Sequence, residues 1–184
     1  MYCEGRAEPN TAGEELGLDA FVYNEVFGKD YPTTLFISSG GTSEVKKNGS
    51  LAIKVLRKAF LDVDLLLLHD RDTCTDQERN TWINSASHHR MLSRREIENY
   101  LFDFDVLAAF CASKGDVLSR ADYDVIVTNV GSQDLKMGQV TSQLKVLCAE
   151  VHMTNNDFKK ALAAYVQGTL AYEELRADIG LNKS

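Results

Sequence analysis

Proline is nearly absent from this chain: two in 184 residues, beside an ordinary twelve glycines. That balance argues against wholesale disorder. A long apolar run is also missing. No segment reaches the roughly 20 uninterrupted apolar residues that span a bilayer, and the expectation is that no signal peptide precedes the fold. The four cysteines, Cys3, Cys74, Cys111 and Cys148, form no C-x-x-C pair and lie at wide, irregular spacings. Neither a disulfide framework nor a zinc site is supported, and the expectation is reduced thiols in the cytoplasm. Positive charge is in deficit: 20 Lys and Arg face 27 Asp and Glu, for a net charge of −7 and an isoelectric point near 5.1. This argues against a generic basic nucleic-acid binder. It does not exclude nucleic acid at a metal-bearing site, where the ion reverses the local field.

What is present is enough apolar material, 44% of residues, for one compact core with a small helical subdomain beside it. The most informative stretch is 63–72, Val-Asp-Leu-Leu-Leu-Leu-His-Asp-Arg-Asp. Four successive leucines without helical spacing predict a strand covered on both faces, as in the middle of a parallel sheet. Asp70 and Asp72 follow at its carboxyl end, the edge of an open α/β sheet where ligands collect. Two acids so placed repel each other unless a cation lies between them, and a hard divalent metal with oxygen ligands is the natural one.

The chain opens on Met1–Glu4, which reads as the last residues of a strand, and turns at Gly5. The expectation is a piece of a longer protein whose first strand has been cut short. Arg6 to Gly17 reads as a loop. Leu18, Phe21, Val22, Tyr23 and Val26 have the spacing of a helix over 18–27, and Gly28 suits its end. Thr33–Ser38 is a β-rich second strand that runs into the small-residue turn Ser38–Gly41. Residues 50–60 predict an amphipathic helix with Leu51, Val55, Leu56 and Phe60 inward and Lys54, Arg57 and Lys58 outward. The order is strand, helix, strand, helix, strand, the unit of a doubly wound parallel sheet.

Beyond Asp72 the pattern loosens. A helix is expected near 77–83 and a short strand at 89–92. The Ser93-x-x-Glu96 spacing fits a capping box and predicts a helix start that carries Ile97, Tyr100 and Leu101 inward. Further helices are expected at 105–113, 136–151 and 156–175. The run 124–128 (DVIVT) is ambiguous between strand and buried helix. The fold class is α/β, a mostly parallel sheet flanked by helices, with residues 1–104 as the core and 105–184 as a mainly helical extension.

Three features line up along this order. Glu4-Gly5 follows the first strand, Gly40-Gly41 the second, and Asp70-Arg71-Asp72 the third. The arrangement resembles the Toprim fold, shared by topoisomerases, bacterial primases and the OLD family of nucleases. Asp19-Ala-Phe-Val-Tyr23, with Phe27 beyond it, is similar to the D-x-x-x-Y…F helix of OLD-like Toprim domains. Arg94 to Leu101 resembles the R-x-I-E-N-Y-L signature of Toprim domains attached to ABC-type ATPases, many of them in anti-phage defence. The resemblance covers residues 1–110. It implies a Rossmann-like core, a Mg²⁺ or Mn²⁺ cofactor, and Glu4, Asp70 and Asp72 as metal ligands, with Glu4 a candidate general base. Asp19 and Glu98 would be supporting acids. The chain departs from the pattern at two points. The second acid of the first motif is either Glu8 or Asp19, and no lysine stands convincingly as assisting cation, with Lys114 and Lys136 the candidates.

Carboxylates that hold such a metal without quenching its charge suit phosphodiester hydrolysis. Arg71, Arg94 and Arg95 are the candidates to grip a nucleic-acid backbone. The sequence therefore implies a metal-dependent nuclease acting on DNA or RNA, working with an ABC-type ATPase, fused or separate, and not on a membrane. The rival is a catalytically silent Toprim-like domain that binds metal or a partner ATPase and relays its state. A third reading, a receiver-like domain with a phosphate-accepting Asp, fits the Glu-Gly start badly.

Overall fold

The computed structural model describes residues 1–3, 17–38, 64–128 and 136–181, together with residues 55 and 58. Among the described residues the protein is α/β, with a four-stranded parallel sheet flanked by helices. It divides into two compact units. One holds residues 1–70, 74–91 and 182–184, and the other holds 71–73 and 92–181.

The first unit carries the sheet: β1 (Tyr2–Cys3), β2 (Ile37–Ser38), β3 (Leu67–His69) and β4 (His89–Met91), with α1 (Leu18–Phe27) and α2 (Asp76–Ser85). The spatial order is β2-β1-β3-β4. The chain thus moves outward from β1 to β2 on one side, then resumes with β3 on the other. This makes β1 and β3 the neighbours at which the winding reverses. Their register pairs Tyr2 with Leu67 and Cys3 with Leu68. All three residues of β3 are buried, as the leucine run requires.

Helix α1 has the bounds its spacing predicts, although Phe21 faces outward at 37% exposure. It packs through Tyr23 and Phe27, which stack on Phe36 at 5.2 and 5.8 Å. Asn24 fixes the approach to β2 from both sides: its Nδ2 donates to the Phe36 carbonyl at 2.9 Å, and its Oδ1 accepts the Phe36 N–H at 2.8 Å. Helix α2 starts at a true capping box, in which Thr75 accepts the Glu78 N–H and the Glu78 carboxylate accepts the Thr75 N–H. Residues 55 and 58 are helical, but Val55 is 57% exposed rather than inward. The remainder of the expected helix at 50–60, the Glu4-Gly5 turn, Glu8 and the Gly40-Gly41 turn lie outside the described residues.

The second unit is helical: α3 (Glu98–Leu101), α4 (Phe104–Ser113), α5 (Arg120–Val127), a 3₁₀ turn (Met137–Val140), α6 (Thr141–Leu147), α7 (Asn155–Ala163) and α8 (Leu170–Ile179). Phe158 of α7 centres its core, 5.9 Å from Phe102 and 5.7 Å from Phe110. Three expectations are corrected here. The helix expected at 156–175 is two helices, α7 and α8. Gly168 between them takes φ 85°, a left-handed value that no α-helix can contain. The one expected at 136–151 opens as a 3₁₀ turn and stops at Leu147. The Ser93–Glu96 capping box does not form, and the helix begins at Glu98. Ser93 is instead drawn to Asp178, which accepts both its N–H and its hydroxyl at 2.8 Å. The ambiguous DVIVT run is helical through Val127, with Thr128 as its cap, because Ser119 accepts the Asp122 N–H and starts α5 just before it.

Candidate functional site

The acid motif begins where β3 ends. Leu67, Leu68 and His69 are buried, Asp70 is half-buried and Asp72 is exposed. The division between the two units falls between Asp70 and Arg71, so Asp70 belongs to the first and Asp72 to the second. Asp72 holds a left-handed backbone, φ 48°. For a residue with a side chain this costs about 1–2 kcal/mol, least for Asp and Asn. Such a conformation persists where neighbours over-determine it. Two bonds do so here: the Asp72 N–H donates to the Arg95 carbonyl at 2.9 Å, and Arg71 Nη1 donates to the Ser93 carbonyl at 2.8 Å.

In the first unit, Asp19 lies half-buried in the first turn of α1. Cys3, the last described residue of β1, is paired with Leu68, two positions before Asp70. Glu4, the third expected metal ligand, lies outside the described residues. His69 packs edge-on against Trp82 at 4.8 Å, and Trp82 stacks flat on His89 at 3.8 Å. Burial lowers the His89 pKa; a hydrogen bond to the Trp82 carbonyl opposes this, and nearby His69 adds to it.

In the second unit, the segment resembling R-x-I-E-N-Y-L is a buried polar network. Arg94 is 5% exposed. Its Nε donates to Glu174 at 2.8 Å, and its Nη1 donates to Asp103 at 2.7 Å and to the Asn99 carbonyl at 2.8 Å. Burial opposes its charge, but Glu174 and Asp103 outweigh that and raise its pKa. With its guanidinium thus engaged, Arg94 is placed to brace the fold rather than to grip a phosphate. Arg71 and Arg95 are half-buried. Glu98 pairs with Lys159 rather than with Arg94. Glu96 is buried and accepts the Gly138 N–H at 2.8 Å. Burial raises its pKa against that hydrogen bond, and the nearby charge of Glu98 adds to the rise. Lys114 pairs with Glu150.

Sequence reasoning missed Lys159, Glu174 and Asp178. The one local signal was that Glu174 and Asp178 stand four apart, on one face of a helix. Nothing local ties them to residues 93–94.

Comparison of the chain with protein-family models, with curated proteins and with solved structures gives no match. Among the described residues, no helix is long and apolar enough to cross a membrane. No three His, Cys, Asp or Glu side chains among them gather into a metal-binding set. Asp70 and Asp72 offer the hard oxygen donors that Mg²⁺ and Mn²⁺ prefer.

Proposed function

We propose that this protein is a Toprim-like, Mg²⁺- or Mn²⁺-dependent nuclease that cleaves DNA or RNA and works with an ABC-type ATPase, fused or separate. The observation that carries this is the position of the acid pair. Asp70 and Asp72 follow β3, the neighbour of β1 in the order β2-β1-β3-β4, and the sequence sets Glu4 directly after β1. In parallel α/β sheets, ligands bind outside the carboxyl ends of the strands where the winding reverses.

In this proposal Glu4, Asp70 and Asp72 ligate the cation. The bound ion supplies an activated water and stabilises the leaving alkoxide. Asp19, on α1 of the first unit, is a supporting acid in the same proposal. Arg71 and Arg95 orient backbone phosphates through guanidinium hydrogen bonds. Glu98, a supporting acid in the same proposal, is paired with Lys159 within the second unit.

The test is cleavage of plasmid DNA and tRNA by the full chain in Mn²⁺, alone and with the ATPase partner, beside Asp72→Asn. Asparagine tolerates the left-handed backbone, so the variant removes charge without adding strain. Loss of cleavage in the variant supports the proposal. Equal cleavage by both proteins marks a contaminant and removes it.

A silent regulatory domain is the second reading, favoured by one observation. Arg94 and Glu98 are both engaged in internal ion pairs. No cleavage with either substrate, with or without the ATPase, selects it.

A further inference from the structure

Residues 93–95 make bonds in two directions. Toward α8, Ser93 donates its N–H and its hydroxyl to Asp178 Oδ2, each at 2.8 Å, and Arg94 Nε reaches Glu174, one turn earlier on the same helix. Tyr100 closes the bracket: its hydroxyl donates to Asp178 Oδ2 at 2.6 Å and accepts the Arg94 N–H at 3.0 Å. Toward the acid motif, the Ser93 and Arg95 carbonyls accept Arg71 Nη1 and the Asp72 N–H. All of these residues belong to the second unit.

We propose that Tyr100 and Asp178 are positioning residues that hold Asp72 in its left-handed backbone, acting through Ser93, Arg94 and Arg95. Helix α8 is a firm anchor, since Ala171, Tyr172, Leu175 and Ile179 bury one of its faces. Asp178 is therefore presented from a fixed frame, and its three donors fix the plane of the segment at Ser93. The carbonyls at 93 and 95 then point at the acid motif in one register. Burial and the Asp178 charge push the Tyr100 phenol pKa well up. Its hydroxyl thus keeps the proton it donates across the neutral range. The consequence for metal binding rests on the nuclease reading above; the consequence for the Asp72 backbone does not.

The experiment uses the full chain and Tyr100→Phe, which keeps the ring and deletes one oxygen. Asp178→Asn and Ser93→Ala serve as second and third variants. Amide hydrogen exchange is followed at Asp72, with the buried α7 residue Leu162 reporting global opening. Mn²⁺ affinity is measured separately by titration. Tyr100→Phe should speed Asp72 exchange at least fivefold, leave Leu162 protected, and weaken Mn²⁺ binding three- to tenfold. Unchanged Asp72 exchange in every variant that keeps Leu162 protected overturns the positioning role. Faster Asp72 exchange in a protein whose wild type binds no Mn²⁺ upholds the clamp and sinks the metal reading instead.

Discussion

Lys159 pairs with Glu98 across 61 residues of sequence, with side chains 14% and 13% exposed. Two charges this far from water stabilise each other mainly by sparing each an unpaired burial. Lys159→Met should cost about 3 kcal/mol in urea unfolding, and adding Glu98→Leu should recover most of that loss. If the double variant is no more stable than the single one, the pair is not the compensated unit described.

Arg94 predicts a separation of stability from substrate binding. Arg94→Ala removes a buried guanidinium from Asp103 and Glu174, whose side chains stay 20% and 41% exposed, and should cost about 2–3 kcal/mol through lost packing and charged hydrogen bonds. In whatever fraction stays folded, the Kd for nucleic acid should hold. Arg95→Ala should do the reverse: little change in stability, weaker binding across all sequences, and a log-affinity against log-salt slope smaller by about 1. Fluorescence anisotropy over a salt series measures both.

Helix α6 ends in a Schellman motif with the wrong residue for its geometry. The Ala149 N–H reaches the Val146 carbonyl, the Glu150 N–H reaches that of Lys145, and Ala149 sits at φ 58°. At the corresponding place after α4 stands Gly115, at φ 86°. Ala149→Gly should stabilise the protein by about 0.5–1 kcal/mol, since relief of the left-handed strain exceeds the entropy that glycine adds to the unfolded chain. Thermal unfolding reads the gain directly.

Two groups pull the pH dependence in opposite directions. Glu96 has its folded pKa raised, mainly by burial. Its contribution is present below the ordinary glutamate value and is lost as pH rises through the folded value. Glu96→Gln keeps an oxygen for the Gly138 N–H, so its stability relative to wild type should grow from about pH 4 to 7. His89 has its folded pKa lowered, again mainly by burial. Its contribution is present above the ordinary imidazole value and is lost as pH falls through the folded one. Relative to His89→Phe, wild type should therefore lose stability from about pH 7 to 5. Paired denaturation curves at each pH test both signs.

The parts of the fold legible in the sequence were those set by local periodicity. The leucine run announced β3 because it has no helical period, and α1 runs over the residues that its spacing marks. The parts that were not legible are long-range. Ser93 and Glu96 have the spacing of a capping box, yet a carboxylate 85 residues away takes Ser93 first. Gly168 looks like a tolerated glycine inside a helical pattern, yet α7 has already ended at Ala163 and Gly168 takes φ 85° in the turn that follows. The same division holds for the candidate site. Asp70 and Asp72 stand out at a strand end, whereas Lys159, Glu174 and Asp178 are surface-type residues on helices with no pattern to pair them with 93–98.

The most direct measurement is Mn²⁺ binding to the full chain by calorimetry, beside Asp70→Asn and Asp72→Asn. The account predicts saturable binding by the wild type that each substitution weakens at least tenfold while the far-ultraviolet spectrum stays unchanged. Wild-type affinity retained in both variants, or no binding by the wild type at any millimolar concentration, contradicts it.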